Sequence, residues 1–238
     1  MTRPTVPALD AVLGEARPVL DYGFVRVIDY MGNDAAIVQA ARVSYGDGTK
    51  TLREDEGLIR YLYRNRHTSP FEMCEIKLHC KMPIFVARQW VRHRTASINE
   101  VSARYSVLSE EFYVPEQFKA QDTKNRQGSA EALGESDNVL MQDWTMESSQ
   151  ACYDLYTRML DKGSSRELAR MVLPVNFYTE WYWKIDLHNL LHFLTLRCDA
   201  HAQAEIRAYA DVIAEIVKLW VPTVHAAWKP QDSAPMCK

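Results

Sequence analysis

Two spacings of apolar side chains alternate along the chain, and between them they predict most of its elements. Residues 23–30, Gly-Phe-Val-Arg-Val-Ile-Asp-Tyr, alternate and are β-branched, which predicts a strand. Residues 72–82 alternate for longer, with Cys74, Ile76, Leu78 and Cys80 against Met73, Glu75, Lys77, His79 and Lys81. Residues 175–185 are dense in aromatics, among them Phe177, Tyr178, Trp181, Tyr182 and Trp183, and read as a third strand; residues 112–115 read as a short fourth. Helical spacing takes over elsewhere. Residues 35–43 follow a Met31-Gly32-Asn33-Asp34 turn with Asp34 as N-cap, and residues 55–66 place Leu58, Tyr61 and Leu62 one turn apart. Pro83 suits the first position of a short helix over 83–91. Residues 139–162 form a long amphipathic helix closed by Gly163, residues 165–171 a shorter one, and residues 187–196 an apolar one. Asp199 is expected to cap a last helix through Ile206, Tyr209, Ile213, Ile216 and Trp220, stopped before Pro222.

Breaks organise the rest. Residues 1–22 carry Pro4, Pro7 and Pro18 with few periodic apolars and read as an N-terminal arm. Gly46-Asp47-Gly48 interrupts the chain, and residues 66–72 read as a polar loop ending at Pro70. The segment 119–134 is polar, poor in aromatics and expected to be a mobile loop. There is no internal repeat and no evident linker. The fold class expected is therefore α+β: one catalytic domain over 23–238, with a central, mostly antiparallel sheet flanked by long helices.

Composition narrows the class. With 238 residues, 47% hydrophobic and 25% charged, the chain reads as an ordinary soluble globular protein. A formal net charge of −3 argues against a dedicated nucleic-acid binder. Cys74, Cys80, Cys152, Cys198 and Cys237 are odd in number and form no Cys-x-x-Cys pair, so neither a disulfide framework nor a zinc ribbon is suggested. No signal peptide opens the chain and no apolar run reaches membrane-spanning length, so a reduced, cytoplasmic setting is expected.

Two stretches escape both periods. Arg92-His93-Arg94-Thr95-Ala96-Ser97-Ile98-Asn99-Glu100-Val101-Ser102-Ala103-Arg104-Tyr105 packs three arginines, a histidine, a carboxylate, two serines and an amide into fourteen positions. Arg92, His93 and Arg94 fall where the 83–91 helix ends. If the chain then runs extended, Glu100, Ser102 and Arg104 share one face, a surface suited to a small anionic, hydrogen-bonding ligand. The bland alternative is cations meeting a helix C-terminus plus an ordinary surface pair. The second stretch holds His188, His192, Arg197 and His201. Two histidines one turn apart suggest zinc, but Asn189 stands where a metalloprotease helix needs glutamate and no third ligand is well placed, so no metal is expected. A metal hydrolase on His188, His192 and His201 stays an alternative, as does single-strand nucleic-acid binding through Arg88, Arg92, Arg94 and Arg104 with Trp90 and Tyr105 stacking.

Arg92-His93-Arg94 followed by seven residues and Ser102 resembles the signature of the flavin-dependent thymidylate synthases, and Ser97, Asn99, Glu100, Arg104 and Tyr105 extend the match. His67-Thr68-Ser69-Pro70-Phe71, Ala169-Arg170 with Leu173-Pro174, and the block from Leu196 to Ile206 resemble further elements of that family. The resemblance implies conversion of dUMP to dTMP, with 5,10-methylenetetrahydrofolate giving the methylene and NADPH-reduced FAD the hydride. It implies nucleotide contacts from Gln89, Arg92, Glu100, Ser102, Arg104, Arg170 and Arg197. It implies flavin contacts from Ser69, Arg92, His93, Arg94, Glu100, Asp186, Leu187, His188 and His192, with His67 as a gating residue. Some relatives carry asparagine at the Asp186 and His192 positions. It also implies a homotetramer whose subunits share their sites.

The chemistry fits those residue types. A phosphate dianion suits the planar, always-charged guanidinium fork. Carbon 5 of uracil is a poor nucleophile until negative charge is drawn onto the ring, and the resemblance assigns that polarisation to Arg197, with no enzyme nucleophile needed. Ser102 as a nucleophile on carbon 6 has no base partner evident in the sequence. Cys198 is the one cysteine within a polar cluster, and Arg197 beside it would lower its pKa.

Overall fold

The computed structural model describes residues 4–43, 52–123 and 128–229; the Gly46-Asp47-Gly48 break, Cys237 and residues 124–127 lie outside them. Its strands are β1 (Ala16–Val19), β2 (Gly23–Met31), β3 (Glu75–Pro83), β4 (Ser97–Glu100), β5 (Lys119–Gln121), β6 (Ser129–Ala132) and β7 (Tyr178–Asp186). Five of them form one antiparallel sheet in the order β1-β2-β3-β7-β4. The long alternating run expected at 72–82 is its middle strand: β3 pairs with β7 from Glu75 opposite Asp186 to Pro83 opposite Tyr178. Ile76, Leu78, Cys80 and Met82 on one face of β3 are fully buried. Burying each such apolar side chain contributes about 1.5–3 kcal/mol. The fold is α+β, as expected.

The helices are α1 (Pro7–Asp10), α2 (Asp34–Arg42), α3 (Leu52–Arg64), α4 (Ser69–Glu72), α5 (Ile84–Trp90), α6 (Glu135–Asp161), α7 (Arg166–Ala169), α8 (Leu187–Arg197), α9 (Ala204–Trp220) and α10 (Pro222–Trp228). The buried side chains of α8 and α9, including Leu190, Phe193, Leu194, Ile206, Tyr209 and Ile213, join those of the sheet in one core.

Several expectations need correction. Within the expected N-terminal arm, residues 4–22 are tied to the sheet and the core. Strand β1 pairs with β2 from Ala16 opposite Arg26 to Val19 opposite Gly23, and Leu9 is fully buried. Pro18 hid this strand from the sequence, but β1 is the sheet's edge, where a missing N–H costs no ladder bond. Within the segment 119–134, expected as a mobile loop, β5 and β6 pair antiparallel. The 66–72 loop contains α4, with Pro70 in its first turn and Phe71 buried. Residues 112–115 make only an isolated bridge, Phe112 to Phe177.

Capping differs as well. Asn33, not Asp34, caps α2 by accepting from the Ala36 N–H at 3.0 Å. Asp34 turns the other way and accepts from the N–H groups of Thr223 (2.9 Å) and Val224 (3.2 Å) at the start of α10. Asp199 does not cap α9, because the N–H of His201 takes its carboxylate at 2.8 Å and the helix starts only at Ala204. Gly163 does end α6 with φ +85°, the left-handed conformation expected there. The apolar positions of α6 mostly face outward: Leu140, Trp144, Met146 and Leu155 are exposed, while Ser149 and Tyr156 are buried.

Candidate active site

The site is built where α5 ends against α8. Trp90, the last residue of α5, is fully buried and meets Trp181, Trp183, Phe193 and Tyr209 with ring centroids 5.0–5.8 Å away. This aromatic anchor fixes the point at which the chain leaves the helix, and the His93 N–H closes the turn on the Trp90 carbonyl at 3.0 Å. The His93 ring then stands edge-on to Phe193 at 4.9 Å, with His192 at 6.0 Å. One turn further along α8, Arg197 Nε donates to His93 Nε2 at 3.1 Å.

Around this contact lies a hollow of about 390 Å³ lined by Arg92, His93, Arg94, Thr95, Ile185, Asn189, His192, Leu196 and Arg197. Its size is that of an ordinary small-molecule site. Three guanidiniums and two imidazoles line it and, among the described residues, no carboxylate does. That asymmetry favours an anion. Burial first, then the charge of Arg197 and the nearness of His192, push the pKa of His93 down to about 4, so its imidazole is neutral at physiological pH. Burial also lowers the pKa of Arg197.

The rest of the signature lies elsewhere. Strand β4 pairs with β7, placing Glu100 opposite Trp181, and Glu100 Oε1 accepts from the Thr179 hydroxyl at 2.6 Å. The expected alternation of Glu100, Ser102 and Arg104 does not continue. After Val101 the chain turns, with the Tyr105 N–H on the Ser102 carbonyl at 3.0 Å and the Arg104 N–H on Ser102 Oγ at 3.3 Å. Arg104 instead reaches Glu167 of α7 at 3.2 Å, and Arg166 donates to the Tyr105 carbonyl at 3.2 Å. Arg170 opens the 3-10 turn Arg170–Val172 and is exposed. Neither Arg104 nor Arg170 lines the hollow of Arg197. Gln89 donates to Gln203.

The third set of expected residues gathers at α4 and the start of α8, which pack together. His67 is exposed and stacks on Tyr61 at 5.9 Å; Ser69 opens α4 and is exposed. Asp186 caps α8, accepting from the Asn189 N–H at 2.9 Å and the Asn189 side-chain amide at 2.7 Å. Leu187 is fully buried and spends its N–H on the Cys74 carbonyl at 2.8 Å. His188 is half-buried. Of the four polar residues expected to cluster at 188–201, His192 and Arg197 line the hollow, whereas His201 is exposed beside Asp199 at 2.9 Å. Among the described residues, no group of three or more His, Cys, Asp or Glu side chains is placed to hold a metal ion. Cys198 is not the activated thiol that its neighbour suggested: burial, then Asp211, pushes its pKa up to about 12.

Sequence reasoning missed Asn189, Thr179, Glu167 and Gln203. Asn189, three residues after Asp186, carried a readable signal, the spacing of a capping interaction. The other three act across strands or between helices, and no local spacing encodes that.

The family model described as thymidylate synthase complementing protein matches residues 26–223. The chain belongs to this family. Among members of the family, the flavin-dependent thymidylate synthase of Ruegeria pomeroyi is 57% identical over 233 residues, 95% of this chain and 77% of that protein. That of Gluconobacter oxydans is 57% identical over 234 residues, 96% of this chain and 77% of that protein. A solved structure of a UMP/dUMP methylase, PolB, from Streptomyces cacaoi bound with 5-Br UMP superposes with a TM-score of 0.79 at 33% identity, covering 88% of this chain and 94% of that one. The same methylase bound with 5-Br dUMP gives the same score, covering 89% and 97%. The family match spans all three groups of site residues, including the segments that lie outside the hollow.

Proposed function

We propose that this protein is a flavin-dependent thymidylate synthase that methylates carbon 5 of dUMP, and that FAD is its cofactor. The observation that carries the reading is the hollow on which Arg92, Arg94 and Arg197 converge without a carboxylate among the described lining residues. Its donor set suits both anions of the reaction, a nucleotide phosphate and a flavin pyrophosphate, because guanidinium forks bind phosphoryl oxygens in pairs. When bound and reduced, FAD supplies the hydride. NADPH is its reductant, and 5,10-methylenetetrahydrofolate brings the methylene.

What the chain itself contributes follows from its groups. Arg197, held beside neutral His93, takes the uracil ring and stabilises the negative charge that makes carbon 5 nucleophilic. Arg94 and Arg92 take the flavin side, with His93, Asn189 and His192 closing the wall. Ser102, whose hydroxyl accepts a backbone N–H, serves binding rather than attack, so no enzyme nucleophile is used. Arg104 and Arg170, with Glu100 and Gln89, take the nucleotide on their own surface. Ser69, Asp186 and His188 take the flavin at the start of α8, with His67 above them, while buried Leu187 keeps its N–H on the Cys74 carbonyl and packs beneath them.

Two surfaces supplying one anion favour a homotetramer in which subunits complete each other's sites. The exposed apolar side chains of α6 (Trp144 is 55% exposed) offer the covering area such an assembly needs. No helix among the described residues is long and apolar enough to cross a membrane. The setting proposed is the cytoplasm.

An absorption spectrum tests the reading. The purified protein is expected to be yellow, with a flavin band bleached by dithionite. Arg197→Ala is expected to bind dUMP and lose about 100- to 1000-fold in turnover, the usual cost of one preorganised donor. A colourless protein that neither takes up FAD nor binds dUMP would refute it.

A further inference from the structure

His93 belongs to the segment whose resemblance assigns it to the flavin, yet its one ring acceptor is already engaged by a protein donor. Nε2 takes the Nε–H of Arg197 at 3.1 Å, so the ring proton sits on Nδ1. The ring has little freedom to do otherwise. Phe193 stands edge-on to it at 4.9 Å and 78°, and its backbone N–H is tied to the carbonyl of fully buried Trp90.

We infer that His93 is a positioning residue for Arg197. Its unprotonated Nε2 holds the guanidinium by the inner Nε–H and so presents the remaining donors of the fork to the ligand. The assignment rests on Arg197 polarising the uracil ring. An arginine side chain otherwise samples many rotamers, and orienting it beforehand removes that cost from the transition state.

Arg197 and His192 face His93 from α8, Arg92 and Arg94 flank it in sequence, and no carboxylate among the described residues lines the hollow. Burial first, then Arg197 and His192, place its pKa near 4, below the 6.5 of an unfolded chain. The unfolded chain therefore takes the proton first as pH falls. The His93–Arg197 contact contributes fully above about pH 6.5 and is lost progressively as pH falls toward 4.

The test compares two substitutions in the full-length, FAD-loaded enzyme. His93→Gln keeps an acceptor and loses the ring; His93→Phe keeps the ring against Phe193 and loses the acceptor. Per bound flavin, His93→Phe is expected to lower kcat about 10- to 100-fold, the effect of a lost hydrogen bond to a charged group. Per bound flavin, His93→Gln is expected to turn over at least about fivefold faster than His93→Phe and to keep its rate where wild type falls off on the acid side. Wild-type turnover by His93→Phe overturns the assignment, as does a His93→Gln that fails as badly with its flavin band intact. A wild-type protein without a flavin band is instead a failure of the functional reading. A second measurement needs neither flavin nor turnover: 15N NMR of the histidine-labelled chain, with the His93 signal identified by its loss in His93→Gln. Nε2 is expected unprotonated at pH 5.5, and an imidazolium there overturns the assignment.

Discussion

Arg104 Nη2 lies 3.2 Å from Glu167 Oε2, with the two side chains 52% and 57% exposed. The pair joins the turn after β4 to α7, yet so exposed a contact adds little to stability. Arg104→Ala is therefore expected to leave the unfolding free energy within about 1 kcal/mol of wild type, the upper range for surface pairs. If Arg104 holds the nucleotide phosphate, the same substitution raises the KM for dUMP about 10-fold or more, from loss of a charge-assisted bond. Urea unfolding alongside steady-state kinetics checks both.

Trp90 predicts the opposite pattern. It does not line the hollow but sits at the centre of four aromatic rings beneath the Arg92-His93-Arg94 turn. Trp90→Ala is expected to cost about 3–5 kcal/mol, the range for emptying a large aromatic site, and Trp90→Phe distinctly less. Denaturant midpoints separate the two variants.

Arg66 ends α3 in the left-handed conformation, φ +56°, with its N–H on the Tyr63 carbonyl at 3.1 Å and the His67 N–H on the Leu62 carbonyl at 3.0 Å. This is the helix-ending pair of bonds that glycine favours, made by a residue with a Cβ. Arg66→Gly is expected to stabilise the protein by about 0.5–1 kcal/mol, the steric relief partly offset by a freer unfolded chain. Thermal unfolding is expected to show a rise of about 2–4 °C per kcal/mol. A fall in Tm would mean that the arginine side chain makes a contact worth more than the strain.

Cys198 adjoins Arg197 in sequence, but burial and Asp211 hold it as a thiol. Cys198→Ala is expected to keep kcat within about twofold, since at neutral pH the thiolate fraction is negligible. Slow alkylation by iodoacetamide at pH 8, measured against free cysteine, provides an independent check.

The parts of the fold governed by period were legible: β2, β3, β7, α5, α6 and α8 all lie where apolar spacing put them. Failures came where a local signal had two uses. A carboxylate ahead of a helix reads as its cap, but Asp34 caps another helix and Asp199 closes a turn. Prolines read as a break, though Pro18 sits in an edge strand. The site was legible as chemistry but not as place. Arg92-His93-Arg94 and Arg197 line one hollow, yet the bond between His93 and Arg197 carries no mark in either segment. Ser102 and Arg104 were expected on an extended face because periodicity cannot see the turn that follows Val101.

The strand order β1-β2-β3-β7-β4 has a consequence for biosynthesis. Among the described residues strand β4 pairs with β7 alone, so Ser97–Glu100 wait unpaired until residues 178–186 have followed. Meanwhile the open flank of β3, long and apolar on one side, is a template for any stray strand. A nascent chain stalled before Tyr178 would thus expose the middle of its own sheet, before Arg197 has emerged to meet His93.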